Sequence, residues 1–300
     1  MRGACIDIGS NTTRLLVAER IGGRLVGIHQ ERAFTRVGLT VGACGRIGEA
    51  KIAEVVEVVC AQLRAAHVHR AQTVRAVATA AVRDAGDGPA LAAAIERATG
   101  VSVEILSGER EARLAFRGAV GAVGDVADVG ADTPTGPVGV IDAGGGSLEL
   151  VVGVAPDAVR WWASVGLGSG ALTDRCLRCD PPSVDQLSEA RSLIAGELAG
   201  LAPPRPTQAL AVGGSATSVA RLVGPALDAA ALQRSLRLLT AQPSATVASR
   251  FGIDPVRARL LPAGLLIVQA AAGLLGAECS VGAGGIREGV LLEALDADRR

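Results

Sequence analysis

The first half of the chain opens on stretches dense in apolar residues and then shifts to helical spacing. Residues 4–8, 13–19 and 24–32 predict three consecutive strands. Ile52, Val55, Val56, Val59 and Leu63 then fall on one face of a helix. A strand is predicted at 73–79. Asp87-Gly88-Pro89 opens a helix that Gly100 closes, and a strand at 102–106 and a helix at 108–119 follow. The stretch 121–137, rich in Gly, Asp and Pro, reads as a linker between domains. The second half repeats the order. Strands are predicted at 138–142, 148–154 and 159–164, helices near 167–177 and 183–201, and a strand at 208–212 that runs into Gly213-Gly214-Ser215 and another helix. Largely helical sequence continues to Ala277, and 287–295 predicts a last helix. Strands first and helices after, twice over, predict an α/β protein of two similar halves with a cleft between them.

Two short segments share one design. Asp7-Ile8-Gly9-Ser10-Asn11-Thr12 and Asp142-Ala143-Gly144-Gly145-Gly146-Ser147 lie about 135 residues apart, and each joins one apolar stretch to another. The pattern reads as strand, tight turn, strand. Glycine allows positive φ and a close ligand. Successive N–H groups in such a turn form a nest for anionic oxygens. A hydroxyl adds a donor, and an Asp can hold hydrated Mg²⁺. Gly-rich hairpins are common, so one such turn says little. Two of them point to a duplicated domain gripping phosphate.

Composition then removes whole classes of function. The 300 residues are 49% hydrophobic and 20% charged, enough for two cores. Net charge is zero and Tyr is absent, so neither a nucleic-acid nor a membrane partner is expected. Lys51 is the one lysine, so an anion site here would use the forked contacts of Arg. The six Cys include one C-x-x-C pair, Cys176 and Cys179. A structural zinc needs four ligands, so reduced thiols are expected. The N-terminus enters a strand without a leader pattern. The uncharged run 260–277 contains Pro262, Gln269 and several Gly, so a buried helix and a cytoplasmic location are expected. His29, His67 and His69 fall on none of the motifs.

The two turns occur in order with Ala78-Thr79-Ala80-Ala81-Val82-Arg83, Ser107-Gly108-Glu109-Arg110-Glu111-Ala112, Gly213-Gly214-Ser215-Ala216-Thr217 and Gly284-Gly285-Ile286-Arg287-Glu288-Gly289. This series resembles the Ppx/GppA family of exopolyphosphatases and guanosine pentaphosphatases, within the actin/sugar-kinase/Hsp70 superfamily. The likeness runs through nearly the whole chain. It implies two ribonuclease-H-like (actin-like ATPase) domains flanking a cleft. The first would cover 1–124, with a helix at about 286–300 packing back on it, and the second 137–285.

The resemblance also implies roles. Glu111 becomes the base that activates water. Taken as residues alone, Glu109 competes with it. The two would point about 200° apart on a helix, so both cannot face one phosphate. Asp142 and Glu149 become holders of Mg²⁺, with Mn²⁺ as a substitute, although Glu149 could equally face outward on its strand. Asp7 is the symmetric partner of Asp142. Gly9, Ser10, Asn11, Gly144, Gly145, Gly146 and Ser147 become phosphate contacts, and so do Thr79 and Arg83, which otherwise read as an ordinary N-cap and a surface Arg. Gly213, Gly214 and Ser215 would line the cleft, or else serve tight strand–helix packing. Arg110 stands where the family usually has Glu.

Three functions compete on this reading. The first is exopolyphosphatase, cutting terminal phosphate from inorganic polyphosphate. The second is guanosine pentaphosphate (pppGpp) 5'-phosphohydrolase. The third is an actin-like nucleotide-binding protein with little such turnover. The extra C-terminal helical domains of longer family members are missing from this sequence, so short chains and distributive cleavage are expected. A homodimer is left open.

Overall fold

The computed structural model describes residues 1–22, 24–121 and 136–297. Most of the linker expected at 121–137 lies outside the described residues. The chain divides into two compact units: Met1–Thr133 with Ala155–Asp157 and Ala283–Arg300, and Pro134–Val154 with Ala158–Gly282.

The first unit runs β1 (Arg2–Ile8), β2 (Thr13–Ile21), β3 (Arg24–Ala33), α1 (Val37–Cys44), α2 (Glu49–Val68), β4 (Thr73–Ala78), α3 (Ala80–Arg83), α4 (Gly88–Thr99), β5 (Val103–Ile105) and α5 (Gly108–Val120). Its sheet has the order β3-β2-β1-β4-β5, with β1 antiparallel to β2 and parallel to β4. Alternation along each strand makes two apolar faces. Ala4, Ile6, Ile8, Leu15 and Val17 pack with Val55 and Val59 of α2 and Leu91 and Ile95 of α4. Cys5, Leu16, Ala18 and Val77 pack with Leu114 of α5 and with Val290, Leu291 and Leu295 of α12 (Ile286–Ala297). Helices α5 and α12 touch through their backbones. A Cβ on Gly118 would lie 1.9 Å from the Gly285 carbonyl oxygen, and one on Gly289 2.0 Å from that of Leu114.

The second unit runs β6 (Val138–Ala143), β7 (Leu148–Val154), β8 (Ala158–Val165), α6 (Ser169–Cys176), α7 (Val184–Leu198), β9 (Gln208–Val212), α8 (Gly213–Val223), α9 (Ala229–Thr240), α10 (Ser244–Phe251), α11 (Pro255–Leu275) and β10 (Cys279–Val281). Its sheet order, β10-β9-β6-β7-β8, is the first sheet's order read from the other edge. A constant offset in residue number relates the two hairpins. Asp7 pairs with Arg14 as Asp142 pairs with Glu149, and the β-bulge at Val17/Ala18 returns at Val152/Gly153. Helix α11 is long and apolar enough to cross a membrane. Here Leu261, Leu265, Ile267 and Ala271 lie at the centre of the second unit's core.

Candidate active site

Each turn is closed by one bond. The Gly9 N–H donates to the Thr12 carbonyl at 3.0 Å, and the Gly144 N–H to that of Ser147, also at 3.0 Å. A helix start then ties back the turn's carbonyls. The N–H groups of Arg36 and Gly38 donate to Asn11 and Ser10 at 3.1 and 2.8 Å, and those of Ser169 and Gly170 to Gly144 and Gly145, both at 2.9 Å. Helix α6 comes this close only because residue 168 is glycine: a Cβ there would stand 2.2 Å from the Gly145 carbonyl carbon. Among the described residues, no main-chain oxygen takes the N–H of Asn11, Thr12, Gly146 or Ser147. The Asn11 Nδ2 is buried and has no partner among the described residues. Carbonyls turned away and donors left over are what an anion nest presents.

The residue opposite each aspartate differs. Directly opposite residues of an antiparallel pair share a face. Asp7 faces Arg14, whose Nε also donates to Thr12 Oγ1 at 3.1 Å. Burial pushes the Asp7 carboxyl up, Arg14 and Arg287 pull it down, and Glu288 pushes it up again. Asp142 faces Glu149, and these side chains are only 8% and 2% exposed. Glu149 therefore turns inward, with its Oε1 accepting from Ser164 Oγ at 2.9 Å. Two carboxylates side by side on a buried face repel unless a proton or cation joins them. As hard oxygen donors they fit Mg²⁺, which binds to one or two carboxylates and keeps water and phosphate oxygens for the rest of its shell. Among the described residues no group of three or more His, Cys, Asp or Glu gathers to hold a metal.

Glu111 lies in the first turn of α5, which Ser107 caps by accepting the Arg110 N–H at 3.2 Å. Its side chain is 1% exposed and is ion-paired with Arg83 Nη1. The same Nη1 donates to the Leu106 carbonyl at 2.9 Å, and Arg83 Nε lies 3.4 Å from Asp84. Arg83, expected to contact phosphate, is thus engaged with the expected base. Glu109 points away: it is 48% exposed and pairs with Arg113 at 2.9 Å. Arg110 pairs with Glu104 and Glu293 at 3.2 and 2.8 Å. Thr79 is the N-cap of α3 but makes no side-chain cap bond. Its Oγ1 would lie 4.0 Å from a Cβ on Gly9, beside the first turn.

Gly213 has φ +84°, and a Cβ there would lie 2.8 Å from Asp142 Oδ1, so only glycine lets α8 begin beside that carboxylate. Ser215 is 1% exposed, and a Cβ on Gly264 would lie 2.5 Å from its Oγ, so the residue lies in the packing of α8 on α11. All six cysteines are free; Cys176 is buried and Cys179 exposed. Arg14, Ser164, Arg287 and Glu288, which no motif marks as site residues, are also neighbours of the carboxylates. For Arg14 the signal was present: the offset that matches the turns also matches Arg14 with Glu149.

The profile of the Ppx/GppA phosphatase family matches residues 16–298, and the chain belongs to this family. It is 36% identical over 206 residues to Exopolyphosphatase 2 of Mycobacterium tuberculosis, covering 64% of this chain and 60% of that protein. The chain thus spans less than two-thirds of that relative's length. It is 29% identical to Exopolyphosphatase 1 of Mycobacterium leprae over 318 aligned positions, covering 99% of this chain and 91% of that one. The crystal structure of the Aquifex aeolicus Ppx/GppA family member superposes with a TM-score of 0.81 at 27% identity, covering 100% of this chain and 99% of that one.

Proposed function

We propose that this protein is an exopolyphosphatase that releases orthophosphate from the ends of inorganic polyphosphate. The observation that carries the reading is Glu111, a carboxylate held by Arg83 in the first turn of α5, in the same unit as the donor-rich turn Gly9–Thr12. In this reading Glu111 takes a proton from water as the water oxygen bonds to the terminal phosphorus. The bridging P–O bond breaks, and the shortened chain leaves with that oxygen. The N–H groups of Asn11 and Thr12 receive phosphate oxygens, and Arg83 offers its remaining donors. Most of the rate gain then comes from positioning and electrostatics. Bound at Asp142 and Glu149, Mg²⁺ or Mn²⁺ would supply neutralisation of phosphate charge. The names of the Mycobacterium relatives support the polyphosphate substrate.

The test is orthophosphate release from polyphosphate, guanosine pentaphosphate and ATP in one buffer, with Mg²⁺ and with Mn²⁺. Polyphosphate is expected to give the highest kcat/KM. A higher value for guanosine pentaphosphate would move the reading to that substrate, and turnover of ATP alone would end it.

A further inference from the structure

Among the described residues, two other than glycine have positive φ: Arg70 at 59° and Arg36 at 50°. Arg70 needs no special account. It follows α2, where the Ala71 N–H closes back on the Ala66 carbonyl at 3.0 Å, a common left-handed helix ending. Arg36 sits at the other kind of helix end. It is the N-cap of α1, with ψ 39°, where a helix ordinarily starts from extended backbone. The duplicated unit shows the unstrained solution. Gly170 grips the second turn as Gly38 grips the first, and the N-cap of α6 is Gly168 at φ −106° and ψ 159°. Glycine there has ordinary dihedral angles and is required only by the close approach to Gly145, whereas arginine adopts the left-handed angles that favour glycine. Helix α1 has no need of arginine there.

Position is what Arg36 has. Its N–H donates to the Asn11 carbonyl at 3.1 Å, so its Cα stands at the rim of the turn whose own donors are unanswered. The residue is exposed, and among the described residues its guanidinium has no ion pair, hydrogen bond or ring contact. Its neighbours are occupied: Arg14 donates to Thr12, and Arg83 to Glu111. We propose that Arg36 is a subsite residue for the phosphoryl groups behind the terminal one, reading a condensed phosphate chain through forked contacts to its non-bridging oxygens. The main-chain nest takes a tetrahedral phosphate end; a free guanidinium at its rim suits the next charges along the chain. This inference rests on the polyphosphatase reading of the same turn.

Arg36→Gly tests it, because that change removes the guanidinium and the backbone strain together. A purely structural role and a binding role then predict different outcomes. Binding is measured by calorimetry with tripolyphosphate and with orthophosphate, in a Glu111→Gln background that prevents turnover. Arg36→Gly is expected to keep or raise Tm while weakening tripolyphosphate binding about ten- to a hundred-fold. Orthophosphate binding should change by less than about two-fold, and Arg36→Lys should recover part of the loss. Unchanged tripolyphosphate affinity overturns the proposal, and so does an equal loss for both ligands with a fallen Tm. The activity reading fails separately: a wild-type protein that binds tripolyphosphate through Arg36 yet releases no orthophosphate keeps the subsite and loses the hydrolase. A wild-type protein that binds neither ligand sinks both.

Discussion

In the first unit the aspartate at the end of the central strand faces Arg14, whereas in the second unit it faces Glu149. Around this exchange the backbones agree. The turns close with the same bond, the sheets have the same order and the bulges fall at matching positions. The first hairpin carries its own counter-ion. The second sets two carboxylates opposite each other on a buried face. Duplication kept the turn in both units and let a single facing residue set the local charge. The units then differ in the residue set opposite the aspartate, though not in how they are built.

The largest expected effect lies in the unit that supplies its own cation. Glu111→Gln should lower the rate of orthophosphate release by about 10²–10⁴ while polyphosphate still binds, since an amide cannot accept the proton. Glu109→Gln should stay close to wild type, and reversed results for the two variants would move the base to Glu109. The facing residues come next. If Asp142 and Glu149 hold a cation, Mg²⁺ should raise the Tm of the wild type and Glu149→Gln should abolish that rise. Arg14→Gln should lower Tm by leaving Asp7 with Arg287 alone of the two arginines that pull its carboxyl down, at a cost of about 1–3 kcal/mol. If both variants lower Tm in chelator, the contrast between the hairpins is wrong.

The glycines under the turns give a smaller graded pair. Gly168→Ala drives a methyl into the Gly145 backbone and should cost about 1–3 kcal/mol in urea unfolding. Gly38→Ala meets the Ser10 Cβ at 3.0 Å and its carbonyl oxygen at 3.3 Å, a milder overlap, and should cost less.

The smallest effects concern pH, and within the first unit their signs oppose. Burial raises the Asp7 carboxyl above its ordinary value. Its contribution to stability is present below the unfolded value and is lost as pH rises through the raised folded one. Asp7→Asn should therefore raise Tm at neutral pH and lose that gain in acid. Asp87 is held below its ordinary value by the N–H groups of Ile47 and Gly48, which donate at 2.7 and 3.0 Å. Its contribution is present above the unfolded value and is lost as pH falls through the lowered folded one. Asp87→Asn should lower Tm at neutral pH, with the difference closing in acid. Melting curves from about pH 3 to pH 8 check both signs.

Both turns and the order of strands and helices were legible because Gly, Asp and apolar runs act locally. Gly100 ends α4 with φ 72°, and Gln208–Val212 forms β9 at the predicted residues. Short elements built by their surroundings were not legible. Strand β10 has three residues and exists through pairing with β9; α3 is a single turn; α1 follows a left-handed arginine and buries only Val37. The inward aim of Glu149 was hidden for a related reason. Strand β7 is buried along nearly its whole length, so no alternation reveals which side is wet. The Arg83–Glu111 pair joins residues that only the packing of α5 brings together.

Helix α12 has a consequence for the order in which the protein forms. It closes the face made by Cys5, Leu16, Val77 and Leu106, yet the chain reaches it only after the whole second unit. During synthesis the N-terminal domain ordinarily folds first. Here the first unit waits with one side of its sheet open, while the second, which is nearly continuous in sequence, can be completed. A ribosome-bound chain halted at Gly285 should resist protease in its second unit and be cut in its first. The helix bearing Glu111 is then unsupported until α12 emerges, so no nascent intermediate has that carboxylate in place.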